Sequence, residues 1–428
     1  MKMDKFVYLE KEENPQLAEV QLNNRVLSLP FYGVIVRRNH DMQCLKDVVN
    51  STKLKHTQVV MYGIQDADTF KNKIERTLFE FTGENISFTP LSRFITIIDP
   101  CAEYITSNVK SEMEKLLRIK DLPESLKNIF NKGGKEKEKE IKKLFSDEAK
   151  ITAVVEWYLK KPFSYNAEFS LPPCIPIKGK NTLNYAIRIN RIATTIQQDN
   201  GWQKALFFAI DFKAFENDSL IETILNFIYA MKPKIIGFKI FNSDNFYKTD
   251  SILQRFNFNR LVTNLRNYRR EENAVPFFVN TDILGYHLLG QEMGGFIEPI
   301  SGNYNPDLRP RPKKIDLDED ENKKPFMKFG KWADPLTGEE KTFDVLKKTS
   351  ENTKQAFPCD CVECSKYDKL PTEPLIFNKA RKKHRVHIRD TFISELIESI
   401  SKDNLRVSLF DRFSENNHKL KSFKNNYS

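Results

Sequence analysis

The sequence predicts an α/β protein, a TIM-like (β/α)8 barrel with a C-terminal zinc-binding element. Three observations predict it. Short, wholly apolar runs alternate with amphipathic stretches through much of the chain. Three cysteines crowd into six positions near its end. The 428 residues suffice for one barrel-sized core with an appendage. Apolar strands separated by helical patterns make βα units and a parallel sheet buried on both faces. Six or more such units over this length favour a closed barrel over an open sheet. No G-x-G-x-x-G follows a strand, so a dinucleotide-binding open sheet has no support.

Residues 1–56 are assigned to an N-terminal region packing on the barrel, mixed in pattern apart from short apolar runs such as Gly33–Val36. The barrel is assigned to residues 57–400. Val59–Ile64 reads as a short buried strand, followed by polar Gln65–Asp68 and a helix over Phe70–Phe81. Phe94–Ile98 is a second strand, ending in Asp99 and Pro100. Ala205–Ile210 is a third, ending in Asp211, with amphipathic Leu220–Met231 behind it. Ile235–Ile240 is a fourth and Pro276–Val279 a fifth, followed by a helix-like stretch through Leu289. Within that stretch His287 reads as a packed core histidine. Phe296–Ile300 is a sixth strand.

Two charge-rich segments interrupt the pattern. Lys132–Lys143 reads as an exposed loop entering a solvated helix. Arg309–Lys324 mixes proline with opposed charge blocks and cannot bury enough surface to order itself, so a mobile insertion is placed at 305–340. A zinc element is expected at 357–400 and a polar tail at 401–428.

Lys and Arg outnumber Asp and Glu by 68 to 58, a formal charge of +10. A field of that sign attracts polyanions through Coulomb attraction and counterion release, so nucleic acid is the expected partner. With 40% hydrophobic residues the chain is expected to be globular, and its 15 glycines argue against a collagen-like architecture. No apolar stretch approaches the roughly 18–20 residues needed to cross a bilayer, so no membrane partner is expected. Met1–Asn14 carries four acidic residues and lacks the pattern of a signal peptide. A cytoplasmic location with reduced thiols follows.

The strongest motif is Cys359-Asp360-Cys361-Val362-Glu363-Cys364 with His384 and His387 downstream. Three thiolates and one imidazole complete a zinc tetrahedron with no open position, which is a structural site. Two cysteines one residue apart can face the same ion only where the chain turns, as Pro358 and Asp360 suggest. Ile388, Phe392, Leu396 and Ile400 recur at helical spacing, which puts His387 in the first turn of a helix. His387 is therefore the expected fourth ligand, with His384 as the alternative.

This C-x-C-x2-C followed by a histidine at a helix start resembles the zinc element of the tRNA-guanine transglycosylase family. Further segments are similar more loosely. Leu171-Pro172-Pro173-Cys174-Ile175-Pro176 resembles the family's D-E-C-T-P segment, and Ala205-Leu206-Phe207 its A-L-F strand. Ile236-Gly237-Phe238 sits where the family has G-[YF]-A-I-G-G. Gly294–Pro299 resembles the segment that delivers the nucleophile, and Asp99-Pro100-Cys101-Ala102 falls where D-S-G-G begins. The resemblance implies a (β/α)8 barrel that exchanges guanine in tRNA, or in DNA for some relatives, for a 7-deazaguanine base. It also implies base-contacting positions at Gly237 and Cys174, a nucleophile at Glu298, and a possible homodimer. Glu298 stands where the family has Asp, Pro172 falls at the base-reading carboxylate, and several family glycines are missing. A non-catalytic relative that binds nucleic acid or a protein partner is the second expectation.

Base exchange breaks a glycosidic bond through a transition state with positive charge at the sugar. One carboxylate can attack or stabilise that carbon while a second carboxyl handles the proton. Asp99, Asp211 and Glu298 lie at the ends of apolar strands, where a barrel does its chemistry. The expectation is Glu298 as nucleophile, Asp99 as general acid/base and Asp211 as reader of the base edge. Asp282 reads as a helix N-cap, and Cys101 and Cys174 as pocket-wall residues with no neighbouring histidine to activate them.

Overall fold

The computed structural model describes residues 6–11, 14–22, 25–37, 39–51, 54, 56–68, 70, 94–107, 109–242, 252–281, 284–300, 329–335, 340–359 and 361–401. Three antiparallel strands come first: β1 (Phe6–Lys11), β2 (Asn14–Leu22) and β3 (Arg25–Leu29). An eight-stranded, all-parallel sheet follows, made of β4 (Phe31–Val36), β5 (Thr57–Gly63), β6 (Ile95–Asp99), β7 (Pro176–Ile177), β8 (Ala205–Asp211), β9 (Ile235–Phe241), β10 (Val275–Val279) and β11 (Gly295–Pro299). Its order is β6-β5-β4-β11-β10-β9-β8-β7, so strands adjacent in sequence lie side by side and the last returns to pair with β4.

The sheet curls. Lys239 on β9 makes a 2.7 Å ion pair with Asp99 on β6, although five strand steps separate them, about 24 Å in a flat sheet at about 4.8 Å per step. Among the described residues no ladder joins β6 to β7. The β6 edge is instead capped by Glu168, whose Oε2 accepts the Thr96 N–H at 2.6 Å. That satisfies backbone groups which an open edge would leave unpaired.

Alternation along each strand sorts side chains to the two faces of the curl. Ile35, Met61, Ile97, Phe207, Phe277 and Ile297 share one core inside it. Tyr32, Val34, Ile98 and Phe296 on one side, and Leu206, Phe208, Phe238 and Phe278 on the other, pack outward against helices. Those helices are α1 (Asn39–Ser51), α2 (Lys110–Leu117), α3 (Glu124–Phe130), α4 (Gly134–Ser146), α5 (Glu148–Lys160), α6 (Lys180–Asp199), α7 (Asp218–Met231), α8 (Ile252–Glu272) and α9 (Leu284–Gly290). Ala18, Val20, Leu27 and Leu29 of β2 and β3 join the inner core beside Phe31, Ile95, Ala205, Ile235 and Val275, the first residues of their strands or next to them. The small antiparallel sheet thus closes the N-terminal end of the curl.

A second, smaller core lies between residues 329 and 380. The hairpin β12 (Trp332–Ala333) and β13 (Glu340–Lys341), helix α10 (Phe343–Thr353) and the start of the long helix α11 (Pro374–Ser401) enclose Trp332, Leu346, Phe357, Cys361, Cys364 and Phe377. No helix among the described residues is long and apolar enough to cross a membrane.

All six expected strands are present, with ends shifted by at most two residues. The boundary at residue 57 is corrected, because β4 belongs to the parallel sheet and the sheet begins at Phe31. β7 is two residues long and offers no apolar run to recognise. Part of the expected insertion at 305–340 is ordered, with Trp332 fully buried. Arg309–Lys324, most of the helix expected at Phe70–Phe81, Asp282 and residues 402–428 lie outside the described residues. Lys132–Lys143 is, as expected, an exposed stretch leading into a largely solvated helix, α4 from Gly134; the departure is Lys137, which is buried with Nζ donating to the carbonyls of Tyr104, at 2.9 Å, and Ser107.

Candidate active site and metal centre

The thiols of Cys359, Cys361 and Cys364 converge on His384, with their ligand atoms all within 4.8 Å of one another. His384 Nδ1 lies 3.4 Å from Cys361 Sγ and 3.3 Å from Cys364 Sγ. Zinc–sulfur and zinc–nitrogen bonds of ordinary length in a tetrahedron place such atoms about 3.5 Å apart, so the donor set fits a metal ion such as zinc. Local folding explains the convergence. The Cys361 carbonyl accepts from the N–H groups of Cys364, at 2.9 Å, and Ser365, at 3.0 Å, which turns the chain and brings both thiols to one side. His384 Nε2 lies 2.6 Å from the Ala333 carbonyl, an acceptor only, so Nε2 carries the proton and Nδ1 faces the thiols. The Trp332 ring stacks on the imidazole at 4.7 Å and 12°.

Burial disfavours the imidazolium, but the thiols of Cys359 and Cys361 raise His384 to about 9. Hydrogen bonds with Cys359 and Cys364 hold Cys361 far below an ordinary thiol, while those with Cys359 and Cys361 push Cys364 far above one. A cation between them would favour the deprotonated thiols and neutral imidazole that metal binding requires.

The structure corrects the fourth ligand from His387 to His384. The helix starts at Pro374 and not at His387, so His384 already sits inside it and faces the thiols. His387, three residues on, is half-buried and outside the cluster. His384→Ala is expected to weaken metal binding by more than the about 10–100-fold that loss of an outer partner costs. His387→Ala is expected to keep one bound ion per chain by native mass spectrometry.

Inside the curl, at the C-terminal half of the strands, lies a buried ionic cluster. Lys239 Nζ is 2.7 Å from Asp99 Oδ2 and 2.6 Å from Glu103 Oε1, and all three side chains are at most 2% exposed. Asp99 Oδ1 accepts the Cys101 N–H at 3.0 Å. That turn puts Cys101 at φ 53°, a left-handed conformation uncommon for a residue other than glycine. Asn242 and Asn280, which follow β9 and β10 directly, also have positive φ. Strained turns of this kind gather where loops present functional groups.

Burial works to raise the Asp99 carboxyl, yet Lys239 and the Cys101 N–H outweigh it and hold it below its ordinary value. For Glu103 burial wins over Lys239, and the carboxyl is pushed up. Burial acts to lower Lys239, but the two carboxylates hold it well above its ordinary value. The result is one stable carboxylate, one carboxyl able to hold a proton and a permanent cation between them. Burial pushes the thiols of Cys101 and Cys174 well up, so both are neutral.

Glu298 does not join this cluster. Ile297 points into the curl, so Glu298 points out, where it is completely buried against α11. Arg389 Nε donates to it at 2.6 Å, Arg385 Nη2 at 3.1 Å and the Tyr32 hydroxyl at 3.1 Å. The expected nucleophile is therefore a clamp between the sheet and the C-terminal helix, on the opposite face from Asp99. Gly237 is corrected too. A side chain there would lie 2.6 Å from the Phe207 ring and 2.7 Å from that of Phe277, so the space above it is already filled by core. Asp211 sits at the rim of the same end, accepting from the Lys213 N–H at 3.1 Å and Asn242 Nδ2 at 2.9 Å. Cys174 is buried in the inner core and feels the charges of Lys239, Glu103 and Asp99. His287 is buried, and burial lowers its imidazole to about 4.

Sequence reasoning missed Lys239 and Glu103. Lys239 had a signal: a lone cation inside the otherwise apolar strand Ile235–Phe241 requires buried acids opposite. Glu103 had none, since it lies in a short 3-10 turn whose burial depends on the whole fold. No family model matches this chain, and no curated protein matches it.

Proposed function

We propose that this protein is a base-exchanging enzyme acting on guanine in nucleic acid, built on a (β/α)8 barrel with a structural zinc element. The observation that carries the reading is the Asp99–Lys239–Glu103 cluster. Its two carboxyls offer oxygens within 4.8 Å. Glycosidic chemistry with a covalent intermediate uses carboxyls only about 5–5.5 Å apart, whereas direct displacement by water needs about 6.5–9.5 Å. Exchange of one base for another requires the first kind.

In this reading Asp99, kept ionised by Lys239, replaces Glu298 as the reacting carboxylate. The bond from the sugar C1′ to the purine breaks with its electron pair leaving on the base, and an Asp99 oxygen bonds C1′. Glu103 gives its proton to the departing purine. The replacement base then attacks C1′, its ring proton passes to Glu103, and Asp99 leaves as carboxylate. The +10 charge favours a polyanionic substrate. The three thiols and His384 form a closed donor set, suited to a zinc ion that holds structure and performs no chemistry.

A binding-only protein is the second reading, favoured by the removal of Glu298 from the inner face. The deciding experiment supplies labelled guanine and a labelled 7-deazaguanine to the zinc-loaded protein with tRNA and with duplex DNA. Label entering one nucleic acid is the expected result. A folded, zinc-loaded protein inert on both would overturn the enzyme reading in favour of binding.

A further inference from the structure

Among the described residues, the buried lysines and arginines have acceptors for their charge, with one exception. Lys137 donates to two carbonyls, Lys239 meets two carboxylates, Lys382 pairs with Asp41, Arg269 donates to the Glu292 carbonyl, and Arg385 and Arg389 share Glu298. The exception is Arg255. It is 2% exposed, yet among the described residues no hydrogen bond or ion pair meets its guanidinium. Glu216, tied to the same turn through Gln254 Nε2, makes no ion pair with it. A buried cation needs a counter-charge, because it has left water and nothing inside replaces that solvation.

Arg255 lies in the first turn of α8, a helix of 21 residues that starts at the C-terminal end of the sheet. Asn259, Val262, Arg266 and Arg270 share its face at helical spacing. That face meets the far end of α9, where Arg266 Nη1 donates to Gln291 at 3.5 Å and Arg270 Nε to Glu292 Oε2 at 2.9 Å. Side chains on a helix lean toward its N-terminus, so the guanidinium is directed between the start of α8 and the turn before α9. Thr281, two residues past β10, belongs to that turn, and its hydroxyl is fully buried with no partner. The Phe258 and Phe278 rings, 6.0 Å apart, fix α8 beside β10. From them each chain runs three residues toward the same end, to Arg255 and to Thr281.

We infer that Arg255 anchors a phosphate-binding site at the start of α8, with the Thr281 hydroxyl as a second donor. The guanidinium fork and the positive end of the helix dipole both suit a phosphate, which offers more oxygens and more charge than a carboxylate. The net charge of +10 draws phosphate-bearing ligands to the surface. Neither Asp99 nor Glu103 takes part, so the site stands whether the protein exchanges bases or only binds nucleic acid. Its phosphate comes from a nucleic-acid backbone or from a free nucleotide, and the two give different results below.

The test follows the urea midpoint of the full, zinc-loaded chain in inorganic phosphate, acetate and chloride at one ionic strength. Phosphate is expected to raise the wild-type midpoint above the other two by binding the folded state. Phosphate also stabilises proteins by exclusion from their surface, a contribution that variants share, so the difference between chains is read. Arg255→Met is expected to lose the specific rise. Arg255→Lys, which keeps the charge without the fork, is expected to need about tenfold more phosphate for it, and decides the matter if Arg255→Met does not fold. The same rise in acetate, a rise unchanged in the folded variants, or no rise in the wild type overturns the inference. Binding of tRNA, duplex DNA and a nucleoside monophosphate then separates the sources. Affinity lost by the variant on a nucleic acid, with a salt slope smaller by about one, assigns a backbone phosphate. Affinity lost on the monophosphate alone assigns a free nucleotide, and affinity lost on none of the three overturns the site.

Discussion

Glu298→Ala is expected to destabilise the fold by about 3–5 kcal/mol, the cost of removing one partner from a buried ion pair and leaving the other charged. The effect is large because Glu298 accepts from two guanidinium groups and a hydroxyl, in a place with no water to replace them. Arg385 and Arg389 lie four residues apart on one face of α11, so a single carboxylate meets both. The same helix is anchored again by Asp390, whose Oδ1 accepts from the N–H groups of His56, at 2.8 Å, and Thr57, at 2.6 Å. Lys382 adds an ion pair to Asp41 at 2.9 Å. Urea denaturation should show a lower midpoint at an unchanged slope. A midpoint equal to that of the wild type would show that the clamp contributes nothing.

Removing the metal is expected to unfold the 329–380 unit while the curled sheet stays folded. That unit's core is small, and two of its buried members are the candidate ligands Cys361 and Cys364. Donor sets of this composition contribute about 10–16 kcal/mol of apparent free energy when they fold small peptides around zinc. A unit of this size cannot replace that with apolar burial alone. Hydrogen exchange after chelation should show protection lost from Trp332 to His384 and kept in β8, β9 and β10. Protection should also persist at the end of α11 beyond Arg385, because Glu298 and Asp390 hold it from the other side. Unchanged protection around Trp332 would mean that the unit needs no ion.

The parts legible in the sequence were those set by local pattern. Runs such as Ala205–Ile210 and Ile235–Ile240 are apolar because both faces of the sheet are buried, and that announces strands directly. The cysteine spacing announces a metal site by the same locality. What was illegible depends on parity and on contacts across long stretches of chain. A strand buried on both faces has no polar alternation, so nothing in Phe296-Ile297-Glu298 told which residue faces inward. One step of register separates a carboxylate facing into the curl from one clamped outside it. His384 and His387 pose the same problem on a helix, where the ligand depends on where the helix starts. Pro374, a residue suited to the first helical turn, was the available clue. Lys239 could have been flagged, but its partners Asp99 and Glu103 lie 140 and 136 positions away and only the curl brings them together.

The most direct measurement compares Asp99→Asn with Glu298→Gln in the base-exchange assay, each checked for folding and bound metal at the assay temperature. Exchange lost in Asp99→Asn and retained in folded Glu298→Gln is the predicted result. The reverse pattern, with Asp99→Asn active and folded Glu298→Gln inert, would contradict the assignment of chemistry to the inner face of the sheet.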